Sequence, residues 1–121
     1  MSEVTMNQET LFTKIINGAI PADKVYEDEH CVAIKDISPK APIHILVIPR
    51  KPLPRLADAG QTDQNLLGHL LLAANEIARQ AGIGDGFRLI INNGAEAGQT
   101  VFHLHLHILG GKNFSEGQLG F

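Results

Sequence analysis

The chain is poor in features that would each point to a function. It has one cysteine in 121 residues, so an internal disulfide is excluded and a reducing compartment, the cytoplasm, is the expected location. That cysteine, Cys31, sits in a strand-like stretch with Val32 and Ala33 and reads as a small buried residue rather than a reactive thiol. No apolar run approaches the ~20 residues that span a bilayer, and the polar N-terminus has no apolar core of a secretory signal. Charge of one sign is also lacking. The net charge of −3 gives no reason to expect a nucleic acid or membrane partner. Lys35, Lys40, Arg50, Lys51 and Arg55 make one stretch locally basic, but prolines interrupt it and scattered surface cations are expected. Repeats and low-complexity segments are missing. The length suits a single domain over 1–121, with 1–9 a loose arm and 113–121 an irregular tail.

What is present is a row of histidines. Phe102–Gly111 carries His103, His105 and His107 at every second position, half of the six histidines in the chain. A strand repeats side-chain direction with period two, so the imidazoles share one face, neighbours ~7 Å apart, and Leu104, Leu106 and Ile108 take the other.

The remaining chain supplies a frame for that row. Thr10 caps a short helix with Leu11, Phe12, Ile15 and Ile16 on one face, and Asn17-Gly18 and Pro21 stop it. Lys24–Glu27 and Cys31–Asp36 read as short strands around a turn at Asp28–His30. Ile43–Ile48, bracketed by Pro42 and Pro49, reads as a central buried strand whose one ionisable residue is His44, a candidate fourth member of the histidine cluster. From Asp63 to Ala81 an apolar stripe of Leu66, Leu67, Leu70, Leu71, Ala74, Ile77, Ala78 and Ala81 has helical period. His69 falls on its polar side and is expected to be exposed and without a role. Leu72, on the same side, points to contact with another subunit. Arg88–Asn92 reads as a further buried strand, and Phe114 and Phe121 as exposed. Strands joined by tight links before a lone helix predict an antiparallel α+β sheet, because a doubly wound parallel sheet needs helices between most strands.

Three chemistries compete for the histidines. Zinc would need three ligands at ~2 Å, which two neighbours in the row satisfy more easily than three, with Asp36 as a further donor. A polar layer without chemistry, or nucleotide binding without turnover, is the second. The third, favoured here, is nucleophilic catalysis at phosphorus, with His105 flanked by two imidazoles that orient it or supply a proton. The preceding loop, 92–100, offers amides (Asn92, Asn93, Gln99), the hydroxyl of Thr100 and glycine-exposed N–H groups for a phosphate. It is not a P-loop, having no Gly-Lys-Ser/Thr and running into a strand.

His103-Leu-His-Leu-His-Ile-Leu resembles the His-φ-His-φ-His-φ-φ signature (φ apolar) of the histidine triad (HIT) superfamily. Phe12-Thr-Lys-Ile-Ile, Ile20-Pro-Ala, Asp36-Ile-Ser-Pro-Lys-Ala-Pro-Ile-His44 and Leu109-Gly-Gly are similar to its histidine triad nucleotide-binding (Hint) branch. The resemblance, from about Thr10 to Lys112, implies a five-stranded antiparallel sheet with two helices and a homodimer whose sheets join. It implies hydrolysis of purine nucleoside phosphoramidates and aminoacyl-adenylates through a covalent nucleotidyl-His105, releasing AMP or GMP, with no metal or other cofactor. A nucleotide-binding or scaffold protein with little turnover is the alternative. His107 would contact the phosphate and assist proton transfer, and His103 and His44 would orient the cluster. Asn92, Gln99 and Thr100 would meet the α-phosphate, Asp36 the ribose hydroxyls, and Leu11, Phe12, Ile15 and Ile37 the purine. Thr100 stands where serine is more usual, Ala97 where a second glycine is common, and the tail lacks a tryptophan found in some relatives.

Overall fold

The computed structural model describes residues 9–119. Most of the arm expected at 1–9 and the side chain of Phe121 lie outside them. Within that range the chain runs α1 (Leu11–Ile16), β1 (Lys24–Glu27), β2 (Cys31–Lys35), β3 (Ile43–Pro49), α2 (Gln64–Gln80), β4 (Phe87–Ile90) and β5 (Leu106–Gly110). The strands form one antiparallel sheet in the order β1-β2-β3-β5-β4, the α+β architecture expected from the sequence. No helix among the described residues is long and apolar enough to cross a membrane.

Period two divides the sheet into two cores. Cys31, Ala33, Ile45, Val47, Leu106 and Ile108 pack with Leu70, Ala73, Ala74, Ile77 and Ala78 of α2. The intervening Val32, Ile34, Leu46 and Ile48 pack instead with Phe12 and Ile15 of α1. The histidines belong to this second face, since His107 pairs with Leu46 and Leu46 with Ile34. The short helix is fixed by a reciprocal cap, in which the Thr10 hydroxyl accepts from the N–H of Thr13 and the Thr13 hydroxyl from the N–H of Thr10. Asn17 ends it, and Gly18 leaves at φ +81°, where a Cβ would be strained.

Several expectations are corrected. Strand β5 starts at Leu106 rather than Phe102. The last pair of its ladder with β3 is Val47↔Leu106, and two residues further on the register would oppose Leu104 to Pro49, which has no N–H to give. The strand expected at Arg88–Asn92 is Phe87–Ile90, and it is half-buried rather than buried because it is the sheet's edge. Leu71 is 51% exposed, and Ala73 takes its place in the stripe, three residues from Leu70 and four from Ile77. Phe114 is half-buried beneath Arg88 and Lys112 rather than exposed. The basic stretch is neutralised locally, through Lys35–Asp23, Arg50–Glu27, Lys51–Asp63 and Arg55–Asp58.

His69 is the largest correction, because it has a partner. Its Nε2 lies 2.7 Å from Oδ2 of Asp28, which also accepts from the Tyr26 hydroxyl, while Oδ1 accepts from the N–H groups of His30 and Cys31. Burial works to raise the Asp28 pKa, but these four donors outweigh it and hold the carboxyl well below its usual range. Burial, together with the Asp28 charge, pushes the neighbouring Cys31 thiol up to about 12, so it is inert. The Asp28 hub thus ties the β1–β2 turn to α2. His69→Ala is expected to lower stability by ~1–3 kcal/mol at neutral pH, since it leaves a half-buried carboxylate oxygen short of a donor. Urea titration checks this, and an unchanged midpoint would mean that the bond contributes nothing. A depressed carboxyl pKa contributes fully above the unfolded value of ~3.9, and that contribution is lost as pH falls through the folded value.

Candidate functional site

Four histidines meet where α1 covers the sheet, and backbone groups determine which ring nitrogen of three of them carries the proton. Nδ1 of His105 is 2.8 Å from the carbonyl oxygen of His103. A carbonyl only accepts, so Nδ1 holds the hydrogen and Nε2 of neutral His105 keeps its lone pair. At His44 the order is reversed. The N–H of Lys40 donates to its Nδ1 at 3.0 Å, so neutral His44 carries its proton on Nε2. That nitrogen lies 2.9 Å from Nδ1 of His107 and 3.5 Å from Oδ2 of Asp36. Donation from His44 to His107 leaves the His107 proton on Nε2. His103 donates from Nε2 to the carbonyl of Pro49 at 2.7 Å. At 1% exposed it is fully buried, and it lines no part of the cavity that opens on this face.

Burial favours the neutral forms. Desolvation lowers the pKa of His44, His103, His105 and His107 below the ordinary 6.5. For His107 the neighbouring His105 and His44 add to desolvation, and the value falls to about 4. The Phe12 ring stands edge-on to His105, with centroids 4.9 Å apart, and to His103 at 6.2 Å. The His105 and His107 rings are 5.1 Å apart, closer than the spacing of a regular strand face, because 103–105 has left the ladder.

A cavity of ≈ 620 Å³ opens on this face, lined by His105, His107, Thr100, Asp36, Ile37, Leu11, Phe12 and Ile15, with Val101, Ile34, Leu46 and others. Its size suits a small-molecule ligand. Ile37 is 96% exposed and Leu11 46%, so the rim is an apolar lip open to solvent. The Asp36 carboxylate accepts from the N–H of Ser38 through Oδ1 and turns Oδ2 toward His44. Four expected residues are absent from the lining, and two of them, His44 and His103, are buried beside it and joined to it through His107 and Phe12. The other two are Asn92 and Gln99, the latter 4% exposed with its amide bonded to Gly94, Val101 and the distant Pro54. A second, shallower hollow of ≈ 700 Å³ near Arg79, Asp85 and Lys112 holds none of the expected residues.

Sequence reasoning missed Lys40, whose backbone N–H sets the His44 tautomer, and Pro49, whose carbonyl holds His103. Both act through main-chain atoms, which residue type does not reveal. Val101 in the lining was missed too, although its place beside Thr100 was a signal.

Two groups of side chains among the described residues bring three possible metal-ligand atoms within 4.8 Å of one another: Asp36, His44 and His107, and Asp28, Cys31 and His69. The histidines of the row do not form such a group together. In the first group a metal would have to replace the His44–His107 hydrogen bond. In the second it would have to compete with the four donors that already occupy the Asp28 carboxylate.

Residues 17–114 match the HIT domain. The chain belongs to the HIT family. An uncharacterized HIT-like protein of Synechocystis sp. is 64% identical over 110 residues, 91% of this chain and 96% of the relative. A HIT-like protein of Chlamydia pneumoniae is 50% identical over 103 residues, 85% and 94% of the two chains. Among solved structures, a HIT family hydrolase from Legionella pneumophila superposes with a TM-score of 0.87 at 40% identity, covering 89% of this chain and 97% of that one. A histidine triad protein from Clostridium difficile gives 0.83 at 44% identity, covering 88% and 93%. The HIT triad therefore stands here on a HIT fold, with the tautomers of His103 and His105 set by main-chain carbonyls and that of His107 by His44.

¹⁵N-resolved NMR of the imidazoles at neutral pH is expected to find His105 as the Nδ1–H tautomer and His44 and His107 as Nε2–H. All three should titrate below 6.5. An Nε2–H form of His105 would overturn the assignment.

Proposed function

We propose that this HIT protein is a hydrolase of purine nucleoside phosphoramidates and aminoacyl-adenylates, of the Hint type, releasing AMP or GMP. The observation that carries the reading is the bond from Nδ1 of His105 to the His103 carbonyl, which leaves an unprotonated Nε2 on a residue lining the cavity. A purine fits against Leu11, Phe12, Ile15 and Ile37, the ribose beside Asp36, and the α-phosphate at Thr100, His105 and His107. The solved relatives described as HIT family hydrolases, from Legionella pneumophila and Clostridium thermocellum, support a hydrolytic rather than purely structural use of the fold.

The chemistry has two displacements. In the first, Nε2 of His105 attacks the α-phosphorus, a nitrogen–phosphorus bond forms, and the bond to the leaving amine breaks. Substrate charge raises the proton affinity of the His44–His107 pair beside it, and the proton so held passes from His107 to the departing nitrogen. In the second, water attacks the same phosphorus, its proton returns to His107, and the bond to His105 breaks to free the monophosphate. An acyl-adenylate follows the same path with a carboxylate as leaving group, which needs no proton. No step requires a metal or other cofactor.

Acid quenching of the protein with an adenosine phosphoramidate, followed by intact-mass measurement, is expected to trap a nucleotidyl adduct. His105→Ala should abolish the adduct and lower kcat/KM by at least ~10³-fold. Full turnover by that variant would sink the proposal. Stoichiometric AMP binding by the unaltered protein, with no product, would favour the nucleotide-binding alternative. Because protonation of His105 removes the nucleophile and burial holds its pKa below 6.5, the acid limb of kcat/KM should lie below pH 6.5, and an acid limb above 6.5 would contradict the assignment.

We also infer a homodimer. Leu71 and Leu72 are 51% and 72% exposed on α2, and β4 is an edge strand beside it in the chain. Light scattering at micromolar concentration should give twice the chain mass of 13.1 kDa. A monomeric mass would contradict this.

A further inference from the structure

Gln99 stands beside Thr100, yet its side chain faces away from the cavity. It is 4% exposed, and three of its hydrogen-bonding positions are filled by backbone. Oε1 accepts from the N–H of Gly94 at 2.8 Å, and Nε2 donates to the carbonyls of Pro54 at 2.8 Å and Val101 at 3.0 Å. One donor and two acceptors leave no doubt about which way the amide points. Gly94 opens the loop and Val101 closes it, so a single side chain ties its two ends together and both to the β3–α2 connection.

The loop needs such a tie. Its own bonds are few: Ala97 N–H to Gly94 O, Gly98 N–H to Ala95 O and Gln99 N–H to Gly94 O. Gly94 and Gly98 turn it at φ +92° and +95°, conformations that only glycine adopts freely. The connection it is tied to also holds the histidine segment, since Pro49 O accepts from His103 and Leu53 O from the N–H of Leu104. Pro54, the next residue, accepts from Gln99. One length of chain, 49–57, therefore sets the loop and the histidines relative to each other. Asn93, whose Oδ1 accepts from the N–H of Ala57 at 2.7 Å, links the start of the loop to it, and Gln99 links the end next to Thr100.

We infer that Gln99 is a positioning residue, which fixes Thr100 and the loop's N–H groups against the phosphate end of the cavity and does not touch the substrate. This rests on the phosphoramidate reading for its assay and replaces the direct phosphate contact expected of Gln99. Gln99→Glu keeps the shape but turns an acceptor oxygen toward the carbonyls of Pro54 and Val101, so the tie becomes repulsive. At neutral pH the variant should lose ~10–100-fold in kcat, with thermal unfolding followed in parallel to establish that it is folded.

Two further readouts separate positioning from bulk structure. The loss should shrink as pH falls, relative to the unaltered protein, because a protonated carboxyl again donates to one of the two carbonyls. In a Thr100→Ala background Gln99→Glu should cost at least ~5-fold less than in the unaltered background, since residues acting through one another are not additive. Activity equal to the unaltered protein, a loss independent of pH, or a full additive loss beside Thr100→Ala would each overturn the inference. If the unaltered protein turns over no nucleoside phosphoramidate, the functional reading fails instead. Gln99 is then tested by hydrogen exchange of the Gly94 amide, which Gln99→Glu should hasten and a non-tying Gln99 would leave unchanged.

Discussion

Pro49 is where the sheet stops and the site begins. It ends β3, and without an N–H it cannot continue the ladder to the residue facing it, so 103–105 leaves the sheet before β5 starts at Leu106. The carbonyl that Pro49 retains then takes the His103 imidazole. Had the ladder continued, the three imidazoles would keep the regular spacing of a strand face, and the His103 carbonyl would be committed to a neighbouring strand. Released from pairing, that carbonyl holds Nδ1 of His105 and so decides where the His105 lone pair lies. The end of the ladder at Pro49 and the tautomer of His105 thus meet in one short segment, 103–105.

The same economy recurs through the site. His44 is set by a main-chain N–H from Lys40, His103 and His105 by main-chain carbonyls, and the loop by a glutamine bonded only to main chain. Main-chain atoms of packed elements move little, and they do not titrate, so each tautomer is independent of any second ionisable group. Burial then lowers the histidine pKa values and keeps the rings neutral. The exception is the His44–His107 pair with Asp36 near it, where a proton can be shared. In the proposed reaction the proton is carried there, while the fixed rings attack and support.

Much of the fold was legible because it follows from local periodicity. Ile43–Ile48, the helical stripe of α2 and the capped turn of α1 are recognisable from residue type alone. The misses share a cause. Leu71 and His69 are each placed by tertiary packing, and no window of sequence around them shows it. His69 looked idle because Asp28 is remote along the chain, and the inward turn of the Gln99 amide depends in part on Pro54, which is just as remote.

The sequence by itself determined that three imidazoles alternate with three apolar residues, which separates a chemical face from a core face in any extended segment. It also carried the pattern of residue types that resembles the HIT signature, and a relative is 64% identical to it over 110 residues. Only the tertiary structure decided which nitrogen of each ring is free, that Gln99 turns inward, and that His69 has a partner. Those depend on hydrogen bonds between atoms distant in sequence, and above all on main-chain atoms, which are chemically alike at nearly every residue and carry no signature in the sequence.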